Sequence, residues 1–258
     1  MDAADLVIPD WPALPANIGA LATTRAGGVS AGPYDDGRGG GGLNLGLHVG
    51  DNPAAVAQNR ARLQVLLPGR PAWISQVHGN GVVDAATVGT DQPVRVGDAS
   101  IATGRGVVCA ILTADCLPVL FADRDGHVAG AAHAGWRGLA GGVLRETVRA
   151  MRAAGAGEIT AWMGPAIGPM AFEVGQDVFD SFAAALPGVD IGFAFRRHPD
   201  HASKYLADMF ALARLMLERD GVTEIAGGIH CTATERDRFY SYRRDGVTGR
   251  QASLIWLK

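Results

Sequence analysis

The chain has 258 residues, 48% hydrophobic and 19% charged, so it can bury a substantial core and does not have a disordered protein's composition. Its formal net charge of −3 supplies no excess of cations for a polyphosphate backbone, which argues against nucleic acid as a partner. The first residues lack the basic-then-apolar order of a signal peptide, and no run of about 18 apolar residues occurs, so we expect no membrane span.

Length and cysteine usage set the expected organisation. A chain of this length often forms one cooperative unit, so we expect a single domain over residues 1–258. Three cysteines, an odd number in a long chain, do not suggest a disulfide framework and favour a reducing, cytoplasmic location. We expect a monomer or a weak homo-oligomer, although the sequence has no signal for either.

The first predicted helix follows a glycine-rich stretch. Residues 23–50 contain too much glycine for regular structure. Asp51 then suits an N-cap and Pro53 the first turn, while Val56 and Leu63 begin an apolar face. The pattern predicts a helix over residues 53–67.

Two short β-rich runs, 72–79 and 82–88, come next. Gly79-Asn80-Gly81 joins them with turn chemistry, which predicts a pair of strands and places His78 at a strand end. Further strands are predicted over 107–113, 119–122 and 127–132. They put Cys116 at an interruption between strands and His133 at a strand end.

The second half mixes helices and strands. After His133 a loop enters a helix that stops near Gly155, and a strand runs into Met163. The remaining predictions are helices over 176–186 and 205–220 and strands over 224–232, 238–244 and 251–257. Because the order lacks a regular βαβ repeat, we predict an α/β or α+β fold with mixed β-sheets flanked by helices.

Three metal-ligating side chains, His78, Cys116 and His133, fall where strands end and glycine opens the backbone. Zinc accepts imidazole nitrogen and thiolate sulfur, and three protein ligands leave one position open, as in catalytic sites. The spacing alone is weak evidence, because no CxxC or HExxH motif pairs any two of them. Taken singly, a histidine at a strand end is more often a satisfied polar residue than a ligand, and a single cysteine among apolar strands is more often a small buried hydrophobe.

The surrounding segments SQVHGNGV, TADCLPVLFAD and AAHAGWRG resemble a known family. It is variously called YfiH-like, DUF152, multicopper polyphenol oxidase (laccase) domain or peptidoglycan editing factor. The resemblance extends in order through TTRAGGVS, LNLGLHVGDNPAAVAQNRARL, GPAIGP and the closing CTATERDRFYSYRRDGVTGRQASLIWL, so it covers nearly the whole chain.

The resemblance implies a mixed α/β domain similar to the cytotoxic-necrotising-factor cysteine hydrolases, with zinc on His78, Cys116 and His133. The implied activity is phosphorolysis of adenosine, inosine, guanosine and methylthioadenosine, together with deamination of adenosine. Purine nucleosides and phosphate are then the expected partners, and copper is an alternative metal. A true multicopper oxidase needs paired His-x-His ligands, and none occurs among the seven histidines.

Further residues receive provisional roles beside this centre. Proton transfer needs a carboxylate, for which Asp115 and Glu173 are candidates, and Cys116 and His133 are counted as catalytic. Arg25 in the glycine-rich segment suits phosphate binding, although a solvated loop arginine is about as probable. Other candidates for ribose, base or phosphate contacts are Asn44, Arg137, Tyr242, Arg243 and Arg250.

Some residues with metal-binding chemistry are assigned structural roles. His48, His230 and Cys231 have no further ligands to complete a second site. Trp136 opens a helix, where a tryptophan more often packs than stacks on a ligand.

Two other functions compete with a zinc enzyme. Cys116 could be the nucleophile of a hydrolase or amidase that edits peptidoglycan precursors, with His133 as its base. The second competing function is that of a binding or scaffold protein in which zinc is purely structural. Three ligands argue against it, because structural zinc is normally bound by four.

Overall fold

The computed structural model describes residues 5–89 and 94–258. The β-strands of this part of the chain are β1 (Leu6–Val7), β2 (Ile18–Thr23), β3 (Pro71–Trp73), β4 (Val82–Asp84), β5 (Ala99–Ala102), β6 (Val108–Thr113), β7 (Leu117–Asp123), β8 (Ala129–Ala134), β9 (Ile159–Met163), β10 (Glu173–Val174), β11 (Phe195–Arg197), β12 (Tyr205–Ala207), β13 (Ile225–Gly227) and β14 (Gln251–Leu257). The helices are α1 (Pro53–Gln64), α2 (Trp136–Ala140), α3 (Val143–Ala153), α4 (Gln176–Ala185), α5 (Met209–Arg219) and α6 (Tyr242–Asp245).

One sheet has five strands in the order β1-β2-β14-β6-β3. Its strands pair antiparallel except β3, which runs parallel to β6. Because side chains alternate between the faces of a strand, Val108 and Ala110 pack on one side with Leu63 of α1. Cys109 and Ile111 point to the other side.

A second sheet has six strands in the order β13-β9-β7-β8-β5-β4. One face, with Leu120 and Ala122 of β7, shares a hydrophobic cluster with the inner face of the five-stranded sheet. The opposite face, with Val119 and Phe121, packs against the helices. The two sheets therefore lie face to face, with α1 outside the first and most other helices outside the second.

Helix α3 packs its apolar face against the six-stranded sheet. Its buried residues recur at helical spacing, and they include Leu144, Val148 and Met151. Helix α5 is capped at its N-terminus by Asp208, whose carboxylate accepts a hydrogen bond from the Ala211 amide. A small three-stranded sheet, β10-β12-β11, lies near these helices in sequence. Within the described residues, no helix is long and apolar enough to cross a membrane.

The mixed α/β class is confirmed, but the predicted pairing of residues 72–79 with 82–88 is wrong. Strand β3 belongs to the five-stranded sheet and pairs with β6, whereas β4 belongs to the six-stranded sheet and pairs with β5. The Gly79-Asn80-Gly81 segment is a crossing between sheets rather than a hairpin turn.

Other boundaries differ for identifiable reasons. The predicted helix over 205–220 begins with strand β12, and helix α5 starts only after the Asp208 cap. The predicted strand over 238–244 is not a strand, because Ser241 caps the short helix α6 through the Arg244 amide. The predicted strand over 127–132 is shifted to β8, which places His133 inside the strand instead of after it.

Candidate metal centre

The crossings between the two sheets bring the proposed ligands together. His78 lies between β3 and β4, and Cys116 lies between β6 and β7, so both stand where the chain passes from one sheet to the other. His133 belongs to β8 and is opposite Pro118 of β7. Three segments that are distant in sequence therefore meet at one edge of the sandwich.

The ligand atoms of His78, Cys116 and His133 lie within 4.8 Å of one another. The Cys116 Sγ atom is 3.7 Å from His78 Nε2. Around a tetrahedral zinc ion with usual bond lengths, a sulfur and a nitrogen ligand are about 3.6 Å apart. The two histidine rings meet edge to face, with centroids 4.8 Å apart. This donor set and spacing fit a zinc ion with one coordination position left open.

Two backbone positions at the centre are strained. Among the described residues, the non-glycine positions with positive φ are His78, at 61°, and Asp115, at 91°. Such conformations are uncommon for L-residues and persist only where surrounding contacts impose them. His78 is a proposed ligand, and Asp115 directly precedes the proposed ligand Cys116. The strained backbone therefore occurs where the direction of the ligand side chains is set.

Asp98, which the sequence analysis did not select, organises the centre. It is fully buried just before β5, and its carboxylate accepts hydrogen bonds from the amides of Val77, His78 and Gly79. The Nδ1–H of His133 donates to the same carboxylate at 2.8 Å. That bond leaves Nε2 of His133 available to a metal, the usual arrangement for a histidine ligand backed by a carboxylate.

The electrostatics favour an ionised thiol. Burial raises the pKa of the Cys116 thiol, but hydrogen bonds with His133 and His78 outweigh it and hold the pKa well below the ordinary value. Burial lowers the pKa of His133, but hydrogen bonds with Asp98 and Cys116 outweigh it and raise the pKa. A thiolate is the form that binds metal or acts as a nucleophile, so Cys116 is prepared for either.

Gly135 leaves room for the ligands. A Cβ atom at this position would lie 2.8 Å from the His78 ring and 3.1 Å from Cys116 Sγ. At Gly138, a Cβ atom would lie 2.8 Å from the Gly79 carbonyl oxygen. The glycines of the HAGWRG segment therefore allow α2 to approach the crossing that carries His78.

A cavity of about 770 Å³ opens beside the centre. His78, Cys116 and His133 are part of its wall, so a metal held by these residues would lie at the cavity. The other polar and aromatic wall residues include His48, Arg60, Trp73, Gln76, Tyr242 and Arg250. The volume lies in the range of small-molecule sites.

Of the predicted substrate-binding residues, Tyr242 and Arg250 line this cavity, and the other five do not. Asn44 is buried, and its Oδ1 accepts the amide hydrogens of Gly46 and Arg250, so it holds the segment that carries Arg250. Arg137 stacks on Trp136, which itself packs against the core.

Arg25 is engaged elsewhere. Its side chain is buried and donates to the carbonyl oxygens of Asp35 and Arg236, and it forms an ion pair with the Asp35 carboxylate. These bonds join the glycine-rich segment to the C-terminal region. The geometry therefore favours a structural role for this arginine.

Replacing Arg25 with methionine should lower the free energy of unfolding by roughly 2–4 kcal/mol, because it leaves a partly buried carboxylate and two carbonyls without their donor. Arg38 of the same segment is the matched control. It is exposed, and its Nη2 atom is 3.9 Å from Asp237 Oδ2, so Arg38→Met should have little effect on stability. Chemical denaturation measures both. An Arg25→Met protein of unchanged stability but with a raised KM for phosphate would favour a substrate contact.

Asp115, the candidate for proton transfer, has both carboxylate oxygens occupied. One accepts from the Thr232 hydroxyl and the other from the Arg243 amide. The Arg243 side chain donates to the Glu173 carbonyl oxygen. Asp115 thus ties the C-terminal region to the Cys116 turn, which suits positioning better than proton transfer.

Glu173 belongs to a second cluster with His198 and His201, whose possible ligand atoms also lie within 4.8 Å of one another. Its carboxylate already binds the Lys204 ammonium and lies 3.2 Å from His198 Nε2. Because the lysine supplies the positive charge, the carboxylate has its partner within the chain. Glu173 is not part of the cavity wall beside Cys116.

Three residues assigned structural roles have identifiable surroundings. His230 contacts the Glu235 carboxylate, and Cys231 Sγ accepts the Gly168 amide hydrogen. His48 instead stands at the wall of the cavity, exposed, so its surroundings are those of a binding site.

Comparisons with known proteins agree on one family. Residues 19–258 match the family model described as multi-copper polyphenol oxidoreductase laccase. A Pseudomonas aeruginosa protein named purine nucleoside phosphorylase is 50% identical over 252 residues, 97% of each chain. An Escherichia coli protein named purine nucleoside phosphorylase YfiH is 49% identical over 254 residues, 98% of each chain.

Solved structures agree with these sequence relatives. The crystal structure of a Neisseria meningitidis protein of family DUF152 has a TM-score of 0.89 at 50% identity, covering 98% of this chain and 99% of that one. YlmD from Geobacillus stearothermophilus has a TM-score of 0.87 at 32% identity, covering 100% of this chain and 98% of that one.

Proposed function

The chain belongs to the multi-copper polyphenol oxidoreductase laccase family, also known as DUF152 or YfiH-like, and we propose that it is a zinc-dependent purine nucleoside phosphorylase. The relatives from Pseudomonas aeruginosa and Escherichia coli, 50% and 49% identical to this chain, are named purine nucleoside phosphorylase. The observation that carries the proposal is the His78–Cys116–His133 cluster in the wall of a cavity large enough for a nucleoside.

The donor set supports zinc as the metal. Two imidazoles and one thiolate are borderline to soft ligands, and Asp98 fixes the ring orientation of His133. When bound, zinc supplies a fixed positive charge that stabilises negative charge developing on a substrate atom. Copper accepts the same ligands and is the alternative.

In the proposed reaction, an oxygen of phosphate forms a bond to C1′ of the ribose as the bond from C1′ to N9 breaks. The electron pair of that bond leaves with the purine, which takes up a proton, and ribose 1-phosphate remains. The exposed ring of Tyr242 in the cavity wall offers a surface on which a purine can stack. Holding both substrates in one cavity supplies the proximity that the displacement requires.

The proposal extends to particular substrates through the family resemblance. It includes phosphorolysis of adenosine, inosine, guanosine and methylthioadenosine. It also includes deamination of adenosine, in which water adds at C6 of the purine and ammonia leaves. Both reactions need a purine nucleoside bound beside the zinc ligands, so one cavity serves them.

A time course with adenosine tests this function. Zinc-loaded protein is incubated with adenosine, with and without inorganic phosphate, and the products are identified by mass spectrometry. We expect adenine and ribose 1-phosphate in equal amounts only when phosphate is present, and inosine in either condition. Absence of every product would overturn the proposed nucleoside chemistry.

One observation favours a second candidate function, a cysteine hydrolase or amidase. Cys116, His133 and Asp98 are arranged as nucleophile, base and orienting carboxylate, with His133 bonded to Asp98 at 2.8 Å. In that function the Cys116 thiolate attacks a carbonyl carbon, and His133 passes the proton to the leaving amine. Peptidoglycan precursors supply suitable amide bonds.

Alkylation separates the two functions. Metal-free protein should react rapidly with iodoacetamide at Cys116 near neutral pH, because its hydrogen bonds to the histidines lower the thiol pKa against the opposing effect of burial. Zinc should abolish the labelling, since it occupies the thiolate. Peptide mass spectrometry of both forms measures this. Undiminished labelling of protein that contains one zinc per chain would favour the hydrolase.

A further inference from the structure

Two arginines line the cavity without an acidic partner. Arg60 projects from α1, and Arg250 lies just before β14. Within residues 5–89 and 94–258, neither guanidinium forms an ion pair with a carboxylate. Their protein contacts are neutral, which is unusual for two cations in one partly enclosed wall.

The neutral contacts fix both side chains in place. Arg60 Nε donates to the Leu45 carbonyl oxygen, and the guanidinium lies 4.4 Å from the centre of the Trp73 ring. Arg250 Nη1 donates to the carbonyl oxygens of Thr248 and Gly249. These bonds orient the guanidinium groups without neutralising their charge.

Several donors remain without a partner. Among the described residues, hydrogen bonds to protein engage only Nε of Arg60 and only Nη1 of Arg250. Both terminal nitrogens of Arg60, and Nε and Nη2 of Arg250, are therefore available. A fork of N–H donors on each of two arginines matches the oxygens of a phosphate group.

Both arginines act electrostatically on one neighbouring side chain, His48. Burial lowers the pKa of Arg60 to about 10, and burial also lowers the pKa of Arg250. Burial, Arg250 and Arg60 together lower the pKa of His48. Both guanidinium groups therefore lie close enough to His48 to disfavour its protonated form, so two positive charges share one part of the wall. Arg250 lines the same cavity as His78, Cys116 and His133, which places this arginine near the proposed metal centre.

We propose that Arg60 and Arg250 form the binding site for the phosphate co-substrate, beside His78, Cys116 and His133 in the same cavity. This inference rests on the proposed function and assigns phosphate to a site other than Arg25. Asn44 contributes indirectly, since its Oδ1 accepts the Arg250 amide hydrogen and positions that residue. His48 lines the same cavity and is influenced by both arginines.

The test uses full-length zinc-loaded protein and inorganic phosphate. Calorimetric titration gives the Kd for phosphate, and initial rates with inosine give separate KM values for phosphate and nucleoside. In Arg60→Gln we expect the Kd and KM for phosphate to rise about 10-fold or more, because charge-assisted hydrogen bonds are lost. The KM for inosine should remain near the wild-type value.

Matched variants control for charge and folding. Arg62→Gln removes the same charge from the same helix, where the guanidinium binds the carbonyls of Gly27 and Gly28 outside the cavity, and should leave phosphate binding unchanged. Arg60→Lys keeps a positive charge but loses the paired donors, so an intermediate Kd is expected. If Arg60→Gln fails to fold, the Kd and KM of Arg60→Lys for phosphate test the proposal in its place. Arg250→Gln should repeat the Arg60→Gln result.

The outcomes separate this inference from the proposed function. Wild-type phosphorolysis with an unchanged phosphate KM in Arg60→Gln, Arg60→Lys and Arg250→Gln would overturn the site and leave the function intact. Loss of phosphate binding in the arginine variants, without any nucleoside cleavage by the wild type, would support an anion site and overturn the function. Binding of adenosine 5′-monophosphate but not of inorganic phosphate would also overturn the proposed co-substrate site.

Discussion

Replacing Cys116 with serine should remove bound zinc and abolish nucleoside turnover while the protein stays folded. The Sγ atom stands 3.7 Å from His78 Nε2, at the spacing of two ligands of one tetrahedral ion. A serine hydroxyl is a far weaker zinc ligand than a thiolate, so affinity should fall by more than the roughly 10–100-fold typical of changes around the ligands. Turnover should fall by about 1,000-fold or more, because the metal contributes several kcal/mol.

Zinc content by elemental analysis, turnover of inosine and far-ultraviolet circular dichroism measure these effects together. Cys231→Ser is the matched control, since Cys231 is also half-buried and its sulfur accepts the Gly168 amide hydrogen at 3.2 Å rather than lying beside the proposed ligands. That variant should keep both zinc and turnover. A folded Cys116→Ser protein with full zinc and full turnover would place the metal and the chemistry elsewhere.

Replacing Asp98 with asparagine should weaken zinc binding by about 10–100-fold although Asp98 contacts no metal. The buried carboxylate accepts the His133 ring N–H and the amides of residues 77–79, so it orients two ligands at once. An asparagine replaces one acceptor oxygen with an NH₂ group. That group would face one of the N–H donors that the carboxylate now binds. We also expect the free energy of unfolding to fall by about 1–3 kcal/mol.

Competition with a zinc chelator gives the affinity, and urea denaturation gives the stability. Asp84→Asn is the control, because Asp84 is an exposed carboxylate at the end of the neighbouring strand β4 that caps only the Ala86 amide. Equal zinc affinity in the two asparagine variants would mean that Asp98 does not position the ligands.

The sequence located the three proposed ligands without showing how they meet. Turn chemistry at Gly79-Asn80-Gly81 is local, and it predicted a hairpin there. The strands on either side pair instead with β6 and β5, which are contributed by residues well beyond the turn. The pairing of β3 with β6 and of β4 with β5 therefore determines the topology, and the segment expected to be a hairpin turn is the crossing between sheets that carries His78.

Asp98 was missed because its proposed role depends on tertiary contacts, whereas Arg60 was missed although the sequence contained a signal for it. Asp98 precedes an apolar strand and becomes functional only when the crossing of residues 77–79 folds over it. A signal for Arg60 did exist, since it lies four residues after Val56 and three before Leu63 on the apolar face of α1. A charged residue on such a face is unusual enough to indicate a binding site.

Arginines in glycine-rich segments are ambiguous for a physical reason. Arg25 and Arg250 both stand among glycines, and both suit phosphate equally well by composition. The structure separates them by their partners, because Arg25 forms an ion pair with the Asp35 carboxylate, whereas no described carboxylate forms an ion pair with Arg250, whose guanidinium donates to two carbonyl oxygens. A partner that is remote in sequence cannot be read from the local pattern.

The most direct test of the proposed zinc-dependent phosphorylase is turnover measured against bound zinc. Metal-free protein is titrated with zinc, and at each step the zinc bound per chain and the rate of inosine phosphorolysis are determined on the same sample. We predict a rate that rises in proportion to bound zinc and stops rising at one zinc per chain. Full turnover in protein that contains no metal, or no turnover in protein that contains one zinc per chain, would contradict it.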